Sequence, residues 1–358
     1  MNPKTHLSLE WRTYRRPFVK PLRTSHGFWR EREGLIVRLT DRSGNMGYGE
    51  CAPIASFGTE TFSEGRAWLE QSGGVYQPGA PANRELDALP SLAYALASAE
   101  QMLANATGAE GIAYGEEGAT ATHYRWPVCA LLPAGVAALE HFSDVLEAGY
   151  STFKWKIGVA GIKEEMRIAL SLLAEMPSCA RLRLDANGSL GDEVAVRWCE
   201  FLAQEAQGRC AYLEQPLLPG REMQMAELYA KYDVPIALDE SFAQRRQGGV
   251  QALAAQMRDW DGFCVLKPSL IGSGKVVASV LLKKVHRTVF SSAFETDVGV
   301  DALLALAATV GEALPAMGLD TVAAFDDGMN TDLARPWIVF NPALRLVRAQ
   351  AVWESLSR

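Results

Sequence analysis

Six ionisable residues recur along this sequence at a spacing that would let them meet. Asp185, Glu214, Asp239 and Lys267 follow one another at intervals of 25 to 29 residues, and each ends an apolar run: RLRLD, AYLE, IALD and FCVLK. Lys154 and Lys156 close a comparable run, STFKWK, one unit earlier. Such an interval holds one strand, one helix and their turns, so the carboxyl ends of successive parallel strands fall on one side of a sheet or barrel. Carboxylates gathered against apolar walls raise each other's pKa unless a cation neutralises them. Hard oxygen ligands without His or Cys suit Mg²⁺, with Mn²⁺ as an alternative cation.

The lysines complete the chemistry. An amine beside a divalent cation and a second amine is pushed toward its neutral form and can act as a base. Lys154 and Lys156 are two apart on one strand and share a face, so Lys154 reads either as a second amine or as an electrostatic partner. Lys267 comes from a strand on the opposite side, and a substrate between them would meet an amine on each face. The arrangement suits removal of a proton alpha to a carboxylate. Any one of these acids alone would read as a helix cap or a surface ion pair; it is their succession that makes a site.

The elements that must position them begin near Arg125, where short apolar strands alternate with amphipathic helices. WPVCALL, STFKWKI, ARLRLDA, CAYLEQP, VPIALDE, GFCVLKP and RTVFSSA read as strands, with a weaker eighth around MGLDTVA. Helices fill the gaps over 135–148, 162–176, 193–206, 223–232, 250–258, 275–285 and 300–313. Eight parallel strands and seven helices predict an α/β fold, a modified TIM barrel of (β/α)7β form. Before it, strands at 8–18, 35–40 and 47–51 followed by helices at 61–71 and 91–106 predict a separate α+β capping domain. The expected division is 1–122 for that domain, 123–325 for the barrel and 326–358 for a segment that returns to the capping domain. The Gly- and Ala-rich stretch 108–122 is the expected connection.

Composition narrows the function classes. The chain has 358 residues and a formal charge of −7, with Lys and Arg scattered, so no basic stripe suggests nucleic acid as a partner. The opening MNPKTHLSLEWRTYRRPF turns polar and basic before any apolar core of a secretory signal, and no apolar run reaches membrane-spanning length. The six cysteines form no C-x-x-C pair and read as reduced core residues of a cytoplasmic protein. His26, His123, His141 and His286 show no ligand spacing. Glu240 and Glu295 read as supporting partners of the site or as simple caps.

The motifs FKWK, LRLDAN, YLEQP, ALDES, VLKPS and SSAFET resemble the enolase superfamily, in the muconate-lactonizing subgroup that carries Lys-x-Lys on the second strand and Lys on the sixth. The resemblance implies that Asp185, Glu214 and Asp239 hold Mg²⁺, that Lys156 is the base, that Lys267 stands opposite and that Lys154 supports. The substrate would be a small carboxylate. Within the subgroup, SSAFET, the GLDT around Gly318, Arg183 and Asn187 resemble the o-succinylbenzoate synthase family. That family dehydrates 2-succinyl-6-hydroxy-2,4-cyclohexadiene-1-carboxylate in menaquinone or phylloquinone synthesis; N-succinylamino acid racemases and dipeptide epimerases are the alternatives. By the same resemblance Arg183 and Asn187 would help bind the substrate, Ser291 and Gly318 would contact its succinyl end, and loops containing Thr24, Ile54 and Phe57 would close over it. Dipeptide epimerases carry Asp-x-Asp on the eighth strand, where this sequence has only Asp320.

Overall fold

The structure is a computed structural model and describes residues 6–24, 27–106, 123–206, 208–243, 249–272, 280–331 and 335–356. The expected connection at 108–122, residues 275–279 of the helix expected over 275–285, and His26 lie outside the described residues.

The amino-terminal part is an antiparallel sheet of β1 (Leu7–Thr24), β2 (Gly27–Thr40), β3 (Met46–Cys51) and β4 (Val75–Tyr76), in the order β3-β2-β1-β4. It is followed by α1 (Phe62–Gln71) and α2 (Pro90–Ala106). The hairpin of β1 and β2 runs well beyond the expected 8–18 and 35–40, because the largely polar residues of VKPLRT and GFWRERE pair across it, and a polar strand has no apolar alternation to betray it. Alternation does govern its base. Leu7, Leu9, Leu35, Val37 and Leu39 pack on Leu92, Ala95, Leu96, Ala99 and Leu103 of α2. Gly49 lets β3 touch the backbone of α2, since a Cβ there would collide with the Ala95 carbonyl.

The second part is a seven-stranded parallel sheet of β6 (Ala130–Leu132), β7 (Thr152–Lys156), β8 (Arg181–Asp185), β9 (Cys210–Glu214), β10 (Ile236–Leu238), β11 (Phe263–Leu266) and β12 (Thr288–Phe290), hydrogen-bonded in sequence order. Single parallel bridges from Met317 to Val128 and from Gly318 to Ser291 close the ring. The fold is thus the modified TIM barrel with an α+β cap, its eighth strand reduced to two bridges. Helices α3 (Ala137–Glu147), α4 (Ile162–Glu175), α5 (Asp192–Glu205), α6 (Glu222–Tyr232), α7 (Glu240–Ala243), α8 (Gly249–Asp259), α9 (Pro268–Ile271) and α10 (Asp297–Val310) follow the strands. Strand residues pointing outward, among them Phe153, Trp155, Leu182, Leu184, Leu213, Leu238 and Leu266, join one apolar core with these helices.

Two expectations are corrected. WPVCALL is not one strand: β5 (Tyr124–Pro127) pairs antiparallel with β13 (Trp337–Phe340), and the barrel begins beyond it, with the Val128 bridge to Met317 and then β6. Pro127 has no N–H to continue a ladder, and the chain changes partner there. Nor are all six cysteines in the core, since Cys179 is exposed in the turn before β8.

The carboxy-terminal helix α11 (Arg345–Ser355) packs Ala349, Val352 and Trp353 against Tyr14, Ile36 and Tyr48 of the amino-terminal sheet. Arg12 donates from Nη1 to the Trp353 and Leu356 carbonyls at 2.6 and 2.9 Å, holding the helix end. The two parts are also joined by Glu50 of β3, whose buried carboxylate accepts from the Thr296 and Gly299 N–H groups and the Thr296 hydroxyl at the start of α10, and from the Tyr14 hydroxyl at 2.6 Å. Burial raises the Glu50 pKa against these donors. Glu50→Ala would strand several buried donors at once and is expected to lower the apparent unfolding free energy by roughly 3 kcal/mol, read from urea denaturation; a loss within 0.5 kcal/mol, the ordinary range for surface substitutions, would show that the junction does not depend on it.

Candidate active site

Strand register brings the ionisable residues together. Lys156 lies beside Asp185 and Asp185 beside Glu214 as Cα partners across β7, β8 and β9, and Ala237 of β10 pairs with Glu214. Asp239, two residues on, therefore points to the same inner face, as does Lys267 beyond β11. One step down each strand the inward layer is Lys154, Arg183 and Tyr212, again paired with one another, then Ala237, Val265 and Val289 as apolar filling. The barrel interior is packed below and charged at its mouth.

At that mouth the Lys154 ammonium lies 2.8 Å from Asp185 Oδ2 and 2.8 Å from Glu214 Oε1. The Lys267 ammonium donates to both oxygens of Asp239. Burial opposes each charged lysine, yet Asp185, Glu214 and Asp239 hold Lys154 well above its usual pKa, and Asp239 and Glu240 hold Lys267 above its own. For Asp185, burial is outweighed by Lys154, and its pKa is lowered. Glu214 goes the other way, pushed up to about 8 by burial and by Asp185 and Asp239. Glu240, burdened by burial, Asp239 and Asp185, rises to about 7. Lys156 differs from its neighbours, as its half-buried amine makes no hydrogen bond or ion pair with any described residue.

Among the described residues no three His, Cys, Asp or Glu side chains close on one point as a metal cage; two ammonium groups meet the carboxylate charge instead. The donor set nevertheless fits a hard divalent cation. Glu214 is fully buried, its Oε2 has no hydrogen-bond partner, and its raised pKa marks anionic oxygens short of positive charge.

The other sequence-derived residues fall in distinct places. Ser291 and Gly318 adjoin, with Ser291 Oγ 3.3 Å from the Gly318 carbonyl, and a Cβ at position 318 would stand 2.8 Å from that hydroxyl. Ile54 packs with Leu270 and Ala293, and Phe57 and Trp29 pack against them. The Lys267 ammonium stands 5.5 Å over the Phe57 ring, so this amino-terminal loop reaches the mouth. Asn187, at φ 45°, donates its backbone N–H to Asp185 Oδ1 and its side-chain amide to Glu240 Oε1. Arg183 is buried in the layer beneath, 5.0 Å over the Tyr212 ring. Thr24 ends β1 opposite Gly27. Glu295 accepts from the Ser269 and Ser292 hydroxyls and the Ala293 N–H. His123 and His141 have partners elsewhere, Asn341 and Asp144.

One residue at this junction was not singled out from the sequence. Arg32 is buried and donates to the carbonyls of Ala52, Pro53 and Ala293, tying the loop that carries Ile54 and Phe57 to the end of β12. In the string RERE it has the look of an exposed strand charge, and no sequence signal separates it from Arg30.

Residues 137–336 match the family model described as enolase C-terminal domain-like, and residues 12–103 match the model described as MenC, N-terminal domain. The chain belongs to the enolase superfamily. It is 37% identical over 305 residues to the o-succinylbenzoate synthase of Thermosynechococcus vestitus, covering 84% of this chain and 88% of that protein, which places it in the o-succinylbenzoate synthase family. The crystal structure of o-succinylbenzoate synthase from Thermosynechococcus elongatus BP-1, complexed with Mg in the active site, superposes with a TM-score of 0.79 at 33% identity over 98% of this chain and 100% of that one. The L-Ala-D/L-Glu epimerase of Bacillus subtilis shares the fold at a TM-score of 0.69 and 20% identity, over 90% of this chain and 91% of that one.

A divalent cation accepted by these carboxylates must stabilise the folded chain. Mg²⁺ at about 100 times its dissociation constant is expected to add ~2.7 kcal/mol to stability, seen as a rise in Tm, and Asp239→Asn is expected to remove most of that rise. An equal Mg²⁺ shift in the variant would take Asp239 out of the ligand set.

Proposed function

We propose that this chain is an o-succinylbenzoate synthase, a lyase that dehydrates 2-succinyl-6-hydroxy-2,4-cyclohexadiene-1-carboxylate to o-succinylbenzoate. The observation that carries the reading is the pairing of two lysines across one carboxylate cluster. Lys156 and Lys267 rise from the second and sixth positions of an eight-position ring, hence from opposite walls. The division into a capping domain over 1–122, a barrel over 123–325 and a returning segment over 326–358 belongs to the same reading, supported by the separate sheets and by α11 lying on the amino-terminal one.

Asp185, Glu214 and Asp239 would hold Mg²⁺, which supplies a fixed positive charge against which the alpha carbon of the substrate carboxylate gains acidity. Lys156 accepts the alpha proton, its amine being the one at the mouth that is not engaged by a carboxylate. Lys267, its pKa raised by Asp239 and Glu240, offers the charge of its ammonium to the electron-rich ring from the other face. The proton on Lys156 then leaves with the ring hydroxyl as water while the C–O bond breaks and the ring becomes aromatic. Ser291 and Gly318 border the succinyl arm, and Ile54 and Phe57 cover it and exclude water. Arg183 and Asn187 act by holding the third strand's end, and Thr24 belongs to the hairpin that closes above. A location in the cytoplasm agrees with the absence, among the described residues, of a helix long and apolar enough to cross a membrane.

The state of Asp320 favours dehydration over epimerisation of dipeptides. Its carboxylate is paired with Arg335 at 2.5 Å and accepts the Leu131 N–H at 3.2 Å, so it is not free to hold a substrate amine. The ultraviolet assay of the purified chain with the cyclohexadiene substrate and Mg²⁺ is expected to show conversion that EDTA stops. Folded, metal-loaded protein without conversion would refute the synthase reading, and alpha-deuterium exchange on N-succinylamino acids would then identify a racemase. Lys156→Ala and Lys267→Ala are each expected to lower kcat roughly 10³-fold with unchanged circular dichroism; a variant within threefold of the parent would remove that lysine from the mechanism.

A further inference from the structure

Gln215 is buried, follows Glu214 directly, and has a positive φ of 37°, a conformation that non-glycine residues adopt at a cost. Its hydrogen bonds account for that cost. From the backbone, Gln215 N donates to the Ala237 carbonyl at 2.8 Å and Gln215 O accepts the Gly188 N–H at 2.6 Å. From the side chain, Oε1 accepts the Asp239 N–H at 3.0 Å and the Ser241 N–H at 3.2 Å, while Nε2 donates to the Leu217 carbonyl and to Ser241 Oγ, each at 2.9 Å. Both ends of one amide are thereby engaged, and a carboxylate or a hydrocarbon of the same size could not reproduce the pattern.

These contacts reach the ends of β8, β9 and β10, the three strands that carry Asp185, Glu214 and Asp239. Gly188 lies in the turn just after Asp185, Leu217 and Gln215 itself lie after Glu214, and Asp239 is gripped by its own N–H. Strand ladders fix the neighbours below this level, but β10 stops at Leu238; the Asp239 carbonyl is held by the Phe242 N–H, and the Asp239 N–H depends on the Gln215 side chain. A one-ångström drift between ligand strands is enough to degrade a site that demands near-octahedral geometry.

We propose that Gln215 is a positioning residue for the divalent cation: it clamps the three ligand-bearing strand ends at the spacing the metal requires, without touching the metal. The inference rests on the assignment of Asp185, Glu214 and Asp239 as ligands. Gln215→Met keeps the volume and removes all four side-chain hydrogen bonds; Ser241→Ala removes only the hydroxyl partner.

The test is calorimetric titration of the purified full chain with Mg²⁺, paired with Mn²⁺ electron paramagnetic resonance and with Tm measured in chelator. Gln215→Met is expected to weaken Mg²⁺ binding by about tenfold or more, to broaden the bound Mn²⁺ signal, and to recover turnover when Mg²⁺ is raised. Ser241→Ala is expected to weaken binding less, and the double variant to lose no more than Gln215→Met alone. Mg²⁺ affinity within twofold of the parent in Gln215→Met, even with a lowered Tm, would overturn the clamp and leave the ligand assignment standing. Should Gln215→Met fail to fold, unchanged affinity in Ser241→Ala overturns it equally. A parent chain that takes up no Mg²⁺ would instead overturn the ligand assignment, and the clamp with it.

Discussion

The site depends on the crowding of buried charge at the barrel mouth. Asp185, Glu214, Asp239 and Glu240 lie against Lys154, Lys156 and Lys267, with Arg183 in the layer below, in a space walled by apolar strands. Burial, and then the closeness of the other carboxylates, drives Glu214 and Glu240 upward, while Asp185, next to Lys154, is driven down. The mismatch is useful. It suits the cluster to the proposed divalent cation, raises the pKa of Lys267, and leaves Lys156 as the amine not paired with a carboxylate among the described residues.

A site of that kind must be held open against its own repulsion, and the fold does so with groups that are themselves polar and buried. Glu50 caps α10 from the amino-terminal sheet, Arg16 reaches Asp327 and the Glu295 carbonyl, and Arg32 gathers carbonyls from two loops. Glu50 and Arg32 are met largely by backbone groups, and Arg16 by Asp327, Asn330 and the Glu295 carbonyl, so each fixes chain position more than it contributes net attraction. The cap is registered on the barrel at the points where its loop must meet β12 and α9. The wall of Ile54, Phe57, Leu270 and Ala293 is a consequence of that registration.

Much of this was legible in the sequence because a strand alternates with period two and a βα unit has nearly constant length. RLRLD, AYLE, IALD and FCVLK each announce an apolar outer face and a charged inner tip, and the spacing places the tips together. The structure puts Asp185, Glu214, Asp239, Lys154, Lys156 and Lys267 at one mouth for that reason. What the sequence concealed has a different physical origin. The long β1–β2 hairpin has polar residues on both faces, the eighth strand survives as two bridges that carry no pattern, and the break in WPVCALL turns on a partner more than two hundred residues away. Arg32 and Gln215 were invisible as functional groups because their importance lies in which backbone atoms they reach, and no local pattern encodes that.

The arrangement also bears on the proposed use of this scaffold for elimination. Epimerisation needs both lysines to exchange protons with the substrate in turn, so neither can be held permanently in one charge state. Here Lys267 donates to both carboxylate oxygens of Asp239, with Glu240 adding to the field that raises its pKa, whereas Lys156 makes no ion pair with any described residue. An elimination in which the same lysine takes the proton and returns it to the departing hydroxyl needs only one mobile amine and one fixed charge. The asymmetry between the two lysines matches that demand, and it is the feature of this mouth that a symmetric two-base reaction would not require.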